Sequence, residues 1–337
     1  MNNPDVHIKE FLSQTGWNNA NRQRIAGDAS ARTYDRLTAS NGETCILMDA
    51  PLEKGEDVRP FITIADHLRL HGLRTPEIYH QDINNGFLLI EDFGDQLFAK
   101  LMTKNPSQVT DLYRGAMDVL INLRNVPPLD LPYADSNWLV DMIDPLFEWY
   151  APEVTPDQKA DFLTIFRPFA EQVSQTKKII MLRDYHVENL LLLSQEFGIS
   201  SIGILDFQDA MLAHPAYDLV SILQDARRDV SEGSQTEAMA YYLAQTNTAK
   251  EPFQTDYAIL GLQRNLRILG IFARLCQRDK KTHYVELIPR VWDHVMRNLQ
   301  HPTLAPLKKS LLHILPEPSP AFLEHMKSRC LHPHSRP

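Results

Sequence analysis

Residues 181–208 read MLRDYHVENLLLLSQEFGISSIGILDFQ. The run predicts a loop followed by a β-hairpin whose turn falls at 195–198. In an antiparallel hairpin the start of the first strand lies beside the end of the second. Asn189 and Asp206 are therefore expected to face one another although 17 positions separate them, with Asp184 on the loop just ahead.

The residue types in this stretch are those that phosphoryl transfer from ATP requires. A carboxylate on a loop can receive the proton of an acceptor hydroxyl, and one carboxylate with one amide oxygen suits a Mg²⁺ ion that also binds ATP phosphates. An Asp, an Asn five residues later and a second Asp that closes the hairpin form the arrangement found in kinases. Each residue alone is also an ordinary loop residue, so the prediction depends on the three together. It assigns Asp184 as the catalytic base and Asn189 and Asp206 as the metal ligands.

The first 95 residues predict a small lobe of α+β type. Asn41-Gly42 between two β-rich runs is a strong hairpin signal, and further strands are predicted near 22–25, 77–80 and 87–91. Apolar residues at helical spacing from Val58 to Leu68 predict one inserted helix. We therefore expect a five-stranded antiparallel sheet with a helix.

Beyond residue 95 the pattern is mainly helical, interrupted only at 179–206. Helices are predicted near 108–124, 136–150, 156–175, 216–230, 234–246, 255–278 and 284–299. The Pro-rich stretch after His301 is expected to be a surface tail. The predicted architecture is a two-lobed, protein-kinase-like α+β fold, with a nucleotide-binding lobe at 1–95 that ends in a hinge and a larger catalytic and acceptor-binding lobe at 96–337.

Composition excludes several classes of protein. With 43% hydrophobic and 23% charged residues the chain reads as globular, and a formal net charge of −9 argues against nucleic acid as the main partner. No stretch approaches the ~18 apolar residues of a membrane span and the N-terminus lacks a signal-peptide pattern, so we expect a cytoplasmic protein without membrane contact. Cys45, Cys276 and Cys330 are widely separated and indicate neither a disulfide framework nor a zinc site. The sequence leaves the oligomeric state open.

Two further segments are predicted to contact the nucleotide. Asp92-Phe93-Gly94 spells the metal motif of protein kinases, yet it precedes the Asp184 loop, whereas the metal-binding Asp must follow that loop. Glu91, Asp92 and Phe93 instead fit the hinge, whose backbone would bind adenine; a plain Gly-containing turn is the alternative. Gly27-Asp28-Ala29-Ser30 is a predicted tight turn, and the amides of Ala29 and Ser30 are expected to cradle phosphate.

The run from Arg183 to Asp218 resembles the aminoglycoside and choline phosphotransferase superfamily, in which an H-G-D-x-H-x-x-N loop precedes an I-D-F/W metal motif. The matching residues of this chain are Asp184, His186, Asn189, Asp206, Phe207 and Asp218. Flanking segments, among them 86–94 and 263–275, are similar to the bacterial anomeric kinases of N-acetylmuramate and N-acetylglucosamine. The resemblance implies an ATP- and Mg²⁺-dependent kinase that phosphorylates the anomeric hydroxyl of an amino sugar in peptidoglycan recycling. The alternatives are a choline-, homoserine- or aminoglycoside-type kinase and, from another class, a nucleotide-binding pseudokinase that acts as a sensor or scaffold.

The chain departs from the superfamily pattern near the nucleotide. Leu182 stands where the first His is usual, so the hydrogen bonds that steady the loop must come from elsewhere. The strand from Thr44 to Ala50 contains no Lys to contact the α- and β-phosphates. Lys54, Arg32 and Arg36 are candidate substitutes, with a solvated surface charge as the alternative for each.

Three residues are candidates for roles around the acceptor or the base. His186 either orients Asp184 or the acceptor, or is a structural histidine. Asp218 lies at a predicted helix start and is expected to be an N-cap. Trp138 is a candidate to stack on a sugar ring, with core packing as the alternative.

A basic stripe is predicted on the helix at 255–278. Four arginines fall within about 80° of its circumference, namely Arg264, Arg267, Arg274 and Arg278. Such stripes are often solvated faces. If the stripe lines the acceptor site, its four arginines would repel a polycation and could pair with the lactyl carboxylate of N-acetylmuramate, because a guanidinium can bind a carboxylate through two hydrogen bonds. Arg264 and Arg274 are the acceptor-site candidates among them.

Overall fold

The computed structural model describes residues 4–25, 31–193 and 196–331. The strands are β1 (Asn21–Arg24), β2 (Thr33–Thr38), β3 (Thr44–Asp49), β4 (Ile78–Asp82), β5 (Phe87–Glu91), β6 (Ile179–Met181), β7 (Leu190–Leu192), β8 (Ile202–Ile204) and β9 (Met211–Ala213). The α-helices are α1 (Pro4–Ser13), α2 (Arg59–Leu70), α3 (Phe98–Lys104), α4 (Val109–Leu123), α5 (Ser136–Asp141), α6 (Pro156–Ser174), α7 (Ala216–Leu223), α8 (Glu232–Gln245), α9 (Lys250–Gln277), α10 (Ile288–Asn298), α11 (Ala305–Ile314) and α12 (Pro320–Leu331).

The predicted five-stranded antiparallel sheet is confirmed. Its strand order is β1-β2-β3-β5-β4, and the Asn41-Gly42 hairpin joins β2 to β3 with Thr38 opposite Thr44. Gly42 has φ +89°, the left-handed conformation that such a tight turn favours. One face of the sheet packs against apolar residues of α1, including Phe11, whose ring lies 5.8 Å from that of Phe87. The hydrophobic effect thus fixes α1 on the sheet.

By their contacts, residues group into two compact units that differ from the predicted division after residue 95. The first unit comprises Met1–Val119 and Val187–Ala210, and the second comprises Leu120–His186 and Met211–Pro337. The β7–β8 hairpin belongs to the first unit because its backbone bonds to segments near the sheet: Ile204 N–H donates to the Arg74 carbonyl at 2.8 Å, and Leu192 N–H to that of Gln96 at 2.9 Å. The functional division at residue 95 stays a prediction.

The second unit is built around α9, a helix of 28 residues that is buried over most of its length. It packs against α7, α10 and α12, and against a π-helical turn at Leu146–Tyr150. Gly270 allows that close approach, since a Cβ at this position would lie 2.2 Å from the Pro145 carbonyl carbon. The short pair β6 and β9, with Ile180 opposite Leu212, is buried in the same unit.

Three predictions for this unit were wrong. The helix that starts at residue 216 ends at Leu223 rather than near 230, and beyond it the Asp225 carboxylate accepts the Arg227 N–H at 2.8 Å, a local bond that competes with helix. The expected tail after His301 forms α11 and α12, because Pro306 and Pro320 fall in the first turns of these helices, where no N–H is needed. Cys276 and Cys330 are not isolated thiols but form a disulfide between α9 and α12 with Cα atoms 5.3 Å apart.

Within the described part of the chain, no helix combines the length and apolar character needed to cross a membrane.

Candidate active site

The loop that contains Asp184 leaves β6 and is held by a residue distant in sequence. The Asp218 carboxylate, on the first turn of α7, accepts the N–H of Leu182 at 2.7 Å and the N–H of Arg183 at 3.0 Å. Arg183 has φ +72°, a conformation that is costly for a residue with a side chain. The two bonds from Asp218 fix this turn immediately before Asp184.

Asp218 is therefore not the helix N-cap that the sequence predicted. Pro215 occupies the N-cap position of α7, and its side chain makes no capping bond. Burial raises the pKa of Asp218 to about 7, although the two backbone donors act in the opposite direction. The match to the superfamily pattern marked Asp218 as a candidate site residue. Its hydrogen-bond partners lie 35 and 36 positions away, so no local sequence pattern could predict them.

Arg264 links the same loop to α9. One guanidinium nitrogen donates to Ser221 Oγ at 2.7 Å, and the other donates to the Arg183 carbonyl at 3.3 Å. The Arg264 Nη2 atom lies 3.9 Å from Oδ1 of Asp184, whose side chain is 39% exposed. Leu182, at the position of the usual His, is buried, so Asp218 and Arg264 supply backbone bonds that steady the loop.

The electrostatic surroundings keep Asp184 ionised. Burial alone would raise its pKa, but the positive charges of Arg264 and Arg267, with a smaller contribution from Arg183, outweigh burial and lower the pKa below its ordinary value. An ionised carboxylate has a lone pair that accepts a proton. Asp184 therefore has the charge state that a general base needs.

A cavity of about 100 Å³ opens beside Asp184 within the second unit. Its lining includes His186, three arginines (Arg227, Arg264 and Arg267) and apolar side chains of α9. Burial, followed by the charge of Arg227, lowers the pKa of His186 to about 3, so the imidazole is neutral near pH 7. The positive charge in this cavity comes from the arginines.

The metal-binding pair predicted from the sequence lies in the first unit. Leu190 pairs with Ile204 in the β7–β8 hairpin, and the Leu205 N–H donates to the Asn189 carbonyl at 2.9 Å. This register places Nδ2 of Asn189 3.3 Å from Oδ2 of Asp206, as expected from the hairpin. Asp206 has φ +58° and its second oxygen accepts a 2.7 Å bond from Gln208. The predicted juxtaposition is confirmed; the metal role of the pair stays a prediction.

These two side chains fit a magnesium ion that is bound mainly by its nucleotide. Among the described residues, no three His, Cys, Asp or Glu side chains come together as a metal site. Mg²⁺ commonly takes one or two protein carboxylate or amide oxygens and fills its other positions with phosphate and water. Asp206 and Asn189 supply oxygens of this kind.

The segment predicted to bind adenine is held by ion pairs. Glu91 binds Arg74 at 2.5 Å, and Asp92 binds Nε of Arg36 at 2.6 Å. The Phe93 ring lies 5.1 Å from the Arg74 guanidinium carbon. Because the carboxylates of Glu91 and Asp92 are both paired with arginines, only backbone groups of this segment would contact a nucleotide. Its role in adenine binding stays a prediction.

The predicted phosphate loop, Gly27-Asp28-Ala29-Ser30, lies outside the described residues. Of the three candidate phosphate cations, Arg32 pairs with Glu56 at 2.6 Å and Arg36 pairs with Asp92 and Asp95. Lys54 is exposed. In protein kinases the Lys that binds phosphate forms an ion pair with a Glu. Of the three candidate cations, Arg32 is the one that pairs with a Glu.

Two predicted acceptor contacts lie outside the lining of the cavity. Trp138 is half-buried on α5, and its ring meets Tyr217 edge-on at 6.1 Å. Arg274 is half-buried on α9, seven residues beyond Arg267. Their roles in acceptor binding stay predictions.

Comparison with known proteins gives three findings. Residues 21–254 match the phosphotransferase enzyme family. Proteins named N-acetylmuramate/N-acetylglucosamine kinase are similar over most of the chain: that of Caulobacter vibrioides is 34% identical over 88% of this chain and 93% of its own, and that of Pseudomonas putida is 29% identical over 90% and 92%. The choline kinase LicA of Streptococcus pneumoniae superposes with a TM-score of 0.64 over 87% of this chain and 99% of its own, at 12% identity, a likeness of fold alone.

Proposed function

Because this chain belongs to the phosphotransferase enzyme family, we propose that it transfers the γ-phosphate of ATP to the anomeric hydroxyl of N-acetylmuramate and N-acetylglucosamine. The relatives that carry this substrate pair in their names match the chain nearly end to end, which supports the same acceptors here. We propose that the reaction takes place in the cytoplasm, where ATP is available.

The observation that carries the proposal is the ionised Asp184 beside a cavity lined by arginines. Asp184 receives the proton of the anomeric hydroxyl as that oxygen bonds to the γ-phosphorus. The bond from the γ-phosphorus to the bridging oxygen breaks, and ADP leaves. Asp218 and Arg264 act as positioning residues, since both bind the backbone next to Asp184.

Asn189 and Asp206 would hold the Mg²⁺ of MgATP. When bound, MgATP supplies the phosphoryl group and a metal charge that stabilises the phosphate oxygens. The left-handed conformation of Asp206 and its bond from Gln208 orient the carboxylate before nucleotide binds. We propose that Arg32, held by Glu56, provides the cation that the Lys of other kinases provides.

The positive cavity argues against two of the alternative acceptors. Choline is a cation and aminoglycosides are polycations, and both would meet Arg227, Arg264 and Arg267 beside the base. Like charges brought together without compensation cost free energy. The retained Asp184, Asn189 and Asp206 likewise argue against a pseudokinase.

The proposal is tested by measuring ADP release with MgATP and a panel of acceptors: N-acetylmuramate, N-acetylglucosamine, choline, homoserine and kanamycin. We expect the two amino sugars to accelerate ADP release and the cations to give the rate seen without acceptor. The Asp184→Asn variant, measured in parallel, corrects for contaminating ATPase. Faster turnover with choline or kanamycin than with either sugar would overturn the assignment.

A further inference from the structure

The cavity beside Asp184 contains an arginine that does not bond to the catalytic loop. Arg264 bonds the catalytic loop, since its two terminal nitrogens donate to Ser221 and to the Arg183 carbonyl, and it lies 3.9 Å from Asp184. A second arginine of α9, Arg267, lines the same cavity. Its charge helps to keep Asp184 ionised, yet its guanidinium is still able to bind a ligand.

Arg267 makes no hydrogen bond or ion pair with any residue that the structure describes. Burial lowers the pKa of its guanidinium, and the nearby charges of Arg183 and Arg264 act in the same direction. A guanidinium nevertheless stays protonated in proteins. Arg267 is partly buried and has no bonded partner among the described residues, so an anion that entered the cavity could pair with its guanidinium.

The position of Arg267 along α9 suits one particular anion. It follows Arg264 by three residues, about 4.5 Å along the helix axis. In N-acetylmuramate the carboxylate is carried by the lactyl ether on C3, two ring positions from C1, whose hydroxyl reacts. A cation that binds this carboxylate must therefore lie some distance from the base. Arg267 meets this requirement, whereas Arg264 lies next to the base.

The apolar part of the lining matches the rest of the lactyl group. Ile268 and Ile271 line the cavity together with Arg267. The lactyl group joins a methyl group to its carboxylate, so it can place the methyl on the isoleucines and the carboxylate on the guanidinium. Arginine binds carboxylates through two parallel hydrogen bonds, which adds directionality to the charge attraction.

We propose that Arg267 is the specificity-determining residue that binds the acceptor's carboxylate and so favours N-acetylmuramate over N-acetylglucosamine. This inference rests on the proposed function. It narrows the basic stripe predicted from the sequence to Arg267, in place of the acceptor candidates Arg264 and Arg274.

The test compares kcat/KM for the two sugars in the wild type, Arg267→Met, Arg267→Lys and the control Arg297→Met. Arg297 is exposed on α10, where it bonds Gln235, so its removal matches the loss of charge away from the cavity. We expect the ratio of kcat/KM for N-acetylmuramate to that for N-acetylglucosamine to fall about 10- to 100-fold in Arg267→Met, the effect of losing a charge-assisted pair. The ratio for Arg267→Lys should lie between those of the wild type and Arg267→Met, and Arg297→Met should keep the wild-type ratio.

A neutral acceptor completes the design. The methyl ester of N-acetylmuramate lacks the negative charge, so its preference over N-acetylglucosamine should not respond to Arg267→Met. An unchanged ratio for the free acid in both Arg267 variants would overturn the assignment of Arg267 while leaving the proposed function intact. Absence of turnover of either sugar by the wild type would overturn the proposed function, and this inference with it.

Discussion

At the scale of single residues, the Asp184 loop depends on partners that lie elsewhere in the chain. The left-handed conformation of Arg183 costs on the order of 1–3 kcal/mol. Asp218 offsets that cost by accepting two consecutive N–H groups, and Arg264 adds a bond to the Arg183 carbonyl. The strained turn directs the Asp184 side chain toward the arginine-lined cavity.

Replacing the proposed base tests this description at its centre. Asp184→Asn keeps the shape of the side chain but removes its capacity to accept a proton, so kcat should fall by about 10² to 10⁴ while the affinity for MgATP stays nearly constant. Steady-state kinetics and calorimetric titration with ATP measure the two quantities. The control Asp141→Asn makes the same change at an exposed position of α5 and should keep wild-type turnover. Near-normal turnover of Asp184→Asn would remove it from the mechanism.

At the scale of secondary-structure elements, the β7–β8 hairpin is the feature that brings Asn189 to Asp206. Its three-residue strands are short, and their ends are fixed by bonds to neighbouring segments of the first unit. Pairing of Leu190 with Ile204 determines which residues flank the open end. A one-residue slip in register would turn every side chain of one strand to the other face.

If Asn189 and Asp206 bind Mg²⁺ at the open end of the hairpin, the Asp206→Ala variant should show it. The variant should lose the magnesium-dependent part of nucleotide binding, because the carboxylate is the charged ligand of the pair. Thermal shift with ATP, with and without MgCl₂, measures this part. Asp66→Ala, at an exposed position of α2, is the matched control and should retain the wild-type magnesium effect. The same magnesium dependence in Asp206→Ala as in wild type would show that the ion binds elsewhere.

At the scale of the whole molecule, features set by local sequence patterns were predictable, whereas contacts between residues distant in sequence were not. The five strands of the sheet and the facing of Asn189 and Asp206 were predictable because turn residues and strand alternation are local signals. The Asp218 bonds and the Cys276–Cys330 disulfide were not, because folding brings together residues tens of positions apart. The unpaired Arg267 was visible only as one member of a basic stripe, since helical spacing does not say which arginines already have partners.

The position of phosphate on the product tests the central claim most directly. The protein is incubated with MgATP and N-acetylglucosamine labelled with ¹³C at C1, and the product is examined by ³¹P and ¹³C NMR. We predict a sugar phosphate whose phosphorus couples to the labelled C1, together with an equal amount of ADP. A phosphate on any other hydroxyl, or ADP release without a sugar phosphate, would contradict the assignment of this chain as an anomeric amino-sugar kinase.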